Sequence, residues 1–191
     1  MTAKDAAPGQ SRARRSDPDR RERIIAVALD VIAEHGIAGT THRRVAQAAD
    51  VPLGSMTYHF KGIEDLLAAA FTLLANQTAD GFEAALSAAA TREEAVDAVV
   101  GLITSEMLGN DRAVVLTHEL YSLAARRPDM RRVTDAWMAR SRDALQRHFD
   151  PETATMVDAL IEGLTIHRSL ALNPLSTQTV VEAVKRIATI P

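Results

Sequence analysis

The sequence predicts an all-α fold of about nine helices, on three observations. Apolar residues recur at i, i+3 and i+4 along most of the 191 residues. Aromatic residues make up only 4% of the chain while alanine is abundant, a composition that favours helices over sheets. No alternating apolar–polar run long enough for a strand is present. Apolar types are 47% and charged types 25% of the chain, ordinary for a globular protein with a sizeable core.

Residues 1–16 are polar, small and basic, without apolar period, and are expected to form a flexible arm carrying Lys4, Arg12, Arg14 and Arg15. Asp17-Pro18 supplies an N-cap and a first helical position. Ile24, Ile25, Ala28, Leu29 and Ile32 then share one helical face, and Gly36 marks the stop, so a first helix is expected over about 18–35. Thr40 or Thr41 can cap a short helix bearing Val45, Ala46 and Ala49, broken at Asp50-Val51-Pro52. A second short helix is expected to His59, and a longer one from Ile63 through Leu66, Leu67, Ala70, Phe71 and Leu74.

Five more segments complete the set. Thr91 to Glu94 is a capping box, followed by Val96, Val99, Val100, Ile103 and Met107 on one face. Residues 112–125 form the next helix, and Pro128 opens another that runs toward Phe149. Asp150-Pro151 repeats the cap-and-proline device ahead of a helix expected over 152–172, which Asn173-Pro174 ends. The last spans about 177–189.

Charge is unevenly distributed. Residues 1–61 hold ten Lys and Arg against seven Asp and Glu; the rest hold twelve against eighteen. A basic front on an acidic body suits a polyanion-facing N-terminal part. The chain has no cysteine, which excludes disulfides, thiol chemistry and thiolate zinc sites. No run approaches the ~20 apolar residues of a membrane span, and the N-terminus shows no apolar signal core; a cytoplasmic chain without membrane partners is expected. Neither a nucleophile elbow nor a Gly-rich phosphate loop occurs. His118-Glu119 opens like a zinc-protease motif, but Ser122 stands where the second histidine is needed. No enzyme activity and no cofactor are therefore expected.

Residues 41–60 carry the most informative pattern. Two short helices joined by a tight turn form the helix-turn-helix that places a reading helix in the DNA major groove. Ala46 lets the helices approach, Asp50 can take the left-handed turn position, and Val51 and Met56 are apolar pegs. Gly54 and Ser55 keep the groove face small.

With Gly36, Thr40-Thr41, Val45-Ala46, Ala49, Val51, Gly54-Ser55, Tyr58-His59-Phe60 and Leu66-Leu67 in this order, residues 20–67 resemble the TetR family of bacterial transcriptional regulators. The resemblance implies a DNA-binding domain over 17–67 and a helical ligand-binding and dimerisation domain over 68–191. Leu53, Gly54 and Ser55 would face base edges. Arg43 would reach a base edge or the backbone, and Thr41, Arg44, Thr57, Tyr58, His59 and Lys61 would lie at or near the DNA backbone. Three positions depart from the family pattern: Thr57 stands where tyrosine is common, Ile63 where lysine is common, and Asp50 where glycine is usual.

The resemblance further implies a homodimer through the last two helices, reading a palindromic operator in double-stranded DNA with two heads ~34–36 Å apart. It implies a repressor released by a small-molecule effector. Polar or soft residues that interrupt the apolar faces of the body are candidates to line the effector pocket: Met107, Thr117, His118, Tyr121, Trp137, Met138, Ser141 and His167. The alternative is a helical small-molecule carrier without sequence-specific DNA binding.

Overall fold

The computed structural model describes residues 19–105 and 110–189. Nine helices and no strand occur among the described residues. They are α1 (Arg20–Gly39), α2 (His42–Ala48), α3 (Leu53–His59), α4 (Ile63–Ser87), α5 (Arg92–Thr104), α6 (Asp111–Arg126), α7 (Pro128–Leu145), α8 (Pro151–Leu170) and α9 (Thr177–Ala188). The basic arm, the Asp17-Pro18 cap and Met107 lie outside the described residues.

Helix starts follow side-chain chemistry. Thr41 accepts from the Arg44 amide, Thr91 from Glu94, Asn110 from Ala113 and Ser176 from Thr179, while Asp150 accepts from both Glu152 and Thr153. Each fills amide donors that the first helical turn leaves open. The stop expected at Gly36 is real in conformation: Gly36 has φ +67° and breaks α1, leaving a single turn to Gly39. Asp50 takes φ +50° between α2 and α3, as its place in the turn requires.

Three helices end earlier than their apolar pattern suggests. The α5 helix stops at Thr104, before Met107; α7 stops at Leu145, with residues 146–148 in a turn; α8 stops at Leu170. At this last exit Arg168 donates to the Leu175 carbonyl at 2.6 Å, so a side chain folds the chain back before Asn173-Pro174 is reached.

Two apolar clusters form the interior. The first holds the buried faces of α1 to α3 and the first half of α4, with Ile24, Ile32, Met56, Leu66 and Phe71 at its centre, and it continues into Leu116 and Leu120 of α6 and Met130 of α7. The second joins Phe82 and Leu86 of α4 to α5, the end of α7, α8 and α9. At ~1.5–3 kcal/mol for each large side chain removed from water, such clusters provide the main drive for these contacts. Because α4 enters both clusters, it ties the N-terminal helices to the C-terminal bundle. Contacts of α6 with α1 add a second tie.

Candidate DNA-reading surface and effector cavity

The helix-turn-helix is assembled by burial on one side and exposure on the other. Val45, Ala46, Ala49 and Met56 are buried against α1, and the Val51 amide donates to the Ala46 carbonyl to close the turn. The opposite side carries the residues expected to meet DNA. Thr41, Arg43, Arg44, Leu53, Gly54, Thr57, Tyr58 and Lys61 are exposed, and Ser55 and His59 half-buried. Tyr58 is 84% exposed, stacked edge-on against His59. A large aromatic held in water on an otherwise well-packed head is the kind of exposure that marks a contact surface.

These residues do not all stand in the same situation. The Arg44 guanidinium donates to the Gly39 carbonyl, bracing the corner between α1 and α2, and Thr41 is engaged as the α2 cap. Thr57 donates to the Gly54 carbonyl at 3.2 Å. Lys61 donates its amide to Asp65 at 3.0 Å, and its side chain is exposed. Ile63 packs half-buried against the first cluster and is part of the core edge.

A partly open cavity of about 90 Å³ lies between the two apolar clusters. Its walls come from four helices: Thr78 and Phe82 of α4; Val114, Thr117, His118 and Tyr121 of α6; Trp137, Met138 and Ser141 of α7; Asp158, Ile161, Glu162, Thr165 and Ile166 of α8. Six of the residues expected from sequence are brought together here: Thr117, His118, Tyr121, Trp137, Met138 and Ser141. His167 is not among them. It is exposed, and the reason is helical geometry. At ~100° per residue, His167 sits roughly 180° around α8 from Asp158, so the turn that aims Asp158 inward aims His167 at solvent.

The cavity is aromatic and acidic. Tyr121 and Trp137 stack with centroids 6.1 Å apart and planes 24° from parallel. Asp158 and Glu162, one turn apart on α8, bring two carboxylates to the wall, and among the described residues no Lys or Arg lines it. Burial, with Glu162 alongside, pushes the Asp158 carboxyl up to about 6 against the pull of Arg142, whose guanidinium is 3.6 Å away. Burial beside Glu162 and Asp158 also raises the Tyr121 phenol, keeping it protonated. The Thr165 hydroxyl is buried without a hydrogen-bond partner.

Sequence reasoning missed Asp158, Glu162, Thr165, Thr78 and Phe82. One signal for the acids was available: both carboxylates interrupt a helix that otherwise presents Val157, Leu160, Ile161 and Leu164.

The cavity touches the reading head through its own wall helices. On α6, Arg112 pairs with Asp30 of α1 at 2.7 Å, and Glu119 lies against the Gly36 backbone. Just beyond α6, Arg127 pairs with Glu64, in the first turn of α4, at 2.6 Å. No described helix is long and apolar enough to cross a membrane.

Comparison with known proteins agrees with this architecture. Residues 24–70 match the family model of bacterial regulatory proteins of the tetR family, and residues 90–189 match a tetracyclin repressor-like C-terminal domain. A curated relative, the HTH-type transcriptional regulator BetI of Rhizobium meliloti (strain 1021), is 30% identical over 85% of this chain and 84% of its own length. Among solved structures, SCO7518 of Streptomyces coelicolor A3(2), a candidate transcriptional regulator, is 54% identical with a TM-score of 0.84, covering 91% of this chain and 100% of that one. The multidrug binding protein EbrR complexed with ethidium is 34% identical with a TM-score of 0.75, covering 90% of this chain and 99% of that one. The same protein has been solved with imidazole, proflavin and malachite green. With the helix-turn-helix at one end, the helical body at the other and matches across both, the chain belongs to the TetR family of DNA-binding transcriptional regulators.

Proposed function

We propose that this regulator is a dimeric repressor released from a palindromic operator by an aromatic cation bound in the four-helix cavity. The observation that carries this reading is the position of an aromatic, acidic cavity between two cores, with walls on the helices that hold the reading head. A cation gains from the Asp158 and Glu162 carboxylates and from the faces of Trp137 and Tyr121. The ligands solved with EbrR support the class, since ethidium, proflavin and malachite green are aromatic cations.

In this reading residues 17–67 act as the DNA-reading unit and 68–191 as the effector and dimer unit. Leu53, Gly54 and Ser55 meet base edges, while Arg43, Tyr58, His59 and Lys61 meet phosphates. Arg44 and Thr41 hold the head in shape and reach the backbone from there. Dimerisation through α8 and α9 is supported by the outer surface of α8 and its exit. A side chain at Gly163 would meet nothing within 4 Å, Ala159 one turn before it is exposed, and Leu170 and Leu172 are 62% and 100% exposed. Such small and apolar groups allow a second copy to approach closely.

A ligand that binds better to a second arrangement of α4 and α6 shifts the population away from the operator-spaced one. The test is fluorescence anisotropy of DNA flanking the protein's own gene, with a salt series and an unrelated duplex. Preference for the native fragment, a fall in affinity with salt and release by ethidium are expected. Binding of ethidium with no change in operator affinity would overturn the repressor-release reading. A carrier without DNA function would bind neither duplex at low salt.

A further inference from the structure

We propose that the cavity selects its cation by N–H groups, which His118 and Thr165 read alongside the Asp158 carboxylate, so that amino-bearing aromatic cations are preferred over fully N-alkylated ones. This rests on the cavity being the site of an aromatic cation and adds which cation it takes.

The roles of the polar atoms around the cavity carry the proposal. His118 Nδ1 lies 2.7 Å from the Val114 carbonyl oxygen. A carbonyl can only accept, so Nδ1 bears the proton and Nε2 of the neutral ring is left as an acceptor. Thr78 donates its hydroxyl hydrogen to the Leu74 carbonyl at 3.0 Å, leaving only lone pairs. Burial beside Glu162 and Asp158 keeps the Tyr121 phenol protonated. Asp158 and Glu162 add carboxylate oxygens. The hydroxyls of Thr117, Ser141 and Thr165 can act in either sense, and the Trp137 indole is the one group on the wall bound to donate. With no Lys, Arg, Asn or Gln lining it among the described residues, the cavity is rich in acceptors and poor in donors.

A buried acceptor without a partner is costly, by about 1–3 kcal/mol each. A ligand that brings N–H donors to these atoms removes that cost. A ligand of the same charge and ring with methyl groups on its nitrogens meets the carboxylates but brings no donor to His118 Nε2 and leaves the buried, partnerless Thr165 hydroxyl unpaired. Such pairing is the device by which sites discriminate strongly between close analogues.

Proflavin and acridine orange make the matched probes: the same tricyclic cation, with amino groups in one and dimethylamino groups in the other. Their binding to the full-length protein is read by quenching of Trp137, its single tryptophan. Proflavin is expected to bind at least about 10-fold more tightly at pH 7.5. Thr165→Val removes the hydroxyl and keeps the shape, and is expected to weaken proflavin several-fold while leaving acridine orange unchanged. His118→Phe, checked for folding by circular dichroism, should do the same. Equal affinities in the wild type overturn the N–H selection and leave the aromatic-cation reading standing. A preference for proflavin that survives both variants overturns it too, by assigning the difference to bulk. Failure of both cations to bind, with the anion 1-anilinonaphthalene-8-sulfonate binding instead, overturns the cation reading itself.

Discussion

Asp158 illustrates what one buried carboxyl costs the fold. Its carboxyl ionises near 3.8 in an unfolded chain and at about 6 in the fold, because burial outweighs the attraction of Arg142. Between those values the folded chain keeps a proton that the unfolded chain has lost. The stability linked to this group therefore falls as pH rises from about 4 to about 6, and stays low above that. Asp158→Asn carries no ionisation to penalise. Its thermal midpoint should match the wild type near pH 4, exceed it increasingly up to about pH 6 and by a constant margin above, while proflavin affinity at pH 7 drops at least about tenfold. A midpoint difference that does not change with pH would show that Asp158 is not the titrating group. The same residue shows where legibility ended. An acidic residue on a helix ordinarily reads as solvated, and only the packing of α6 and α7 against α8 turns this one inward. By contrast Trp137, Tyr121 and His118 were legible, since bulky or polar groups interrupting apolar faces are what a pocket needs.

At the scale of elements, the helices were legible wherever their starts are encoded locally. Thr41, Thr91 and Asp150 each have an oxygen one turn before the first open amides, and each is used that way. The ends were less legible, because a tertiary contact such as Arg168 with the Leu175 carbonyl decides where α8 stops. The break in α1 belongs to both classes. Gly36 signals it in sequence, and its φ of +67° makes glycine the residue for the position. A Cβ there would stand 2.9 Å from Glu119 Oε1. Gly36→Ala should cost about 1–3 kcal/mol from the positive-φ, extended-ψ backbone alone, read as a lower urea midpoint. Adding Glu119→Ala should recover only the contact part of the loss; full recovery would place the strain in the contact and none in the backbone. Asp50, at φ +50°, gives the contrasting case. Asp50→Gly should keep the midpoint near wild type and Asp50→Val should lower it, because a β-branched residue tolerates that region poorly.

At the scale of the whole molecule, the cavity and the reading head share structural parts. The first apolar cluster does not end with the helix-turn-helix; it runs on through Leu116 and Leu120 of α6 into α7, whose Trp137 packs against it and also lines the cavity. A ligand that moves Trp137 or Tyr121 therefore acts on side chains continuous with those seating α1 and α4. Surface pairs such as Arg112 with Asp30 add direction to this coupling more than strength, since exposed ion pairs contribute little. If the effector and the operator each favour a different arrangement of one shared core, the coupling free energy is a single quantity seen from two sites, and it must be reciprocal. The factor by which saturating proflavin weakens operator binding should equal the factor by which saturating operator DNA weakens proflavin binding. A factor of about 5–150 is the usual range for such coupling. Both factors can be measured on one preparation, by anisotropy of labelled operator at saturating proflavin and by Trp137 quenching at saturating operator. Proflavin also binds duplex DNA directly, so each titration needs a scrambled duplex that takes up the dye to the same extent without engaging the protein. Equal factors, corrected with that duplex, are what an induced two-state change requires. Loss of operator binding without any matching loss of proflavin affinity would mean that the dye strips the protein by occupying the DNA, and that the cavity plays no part in release.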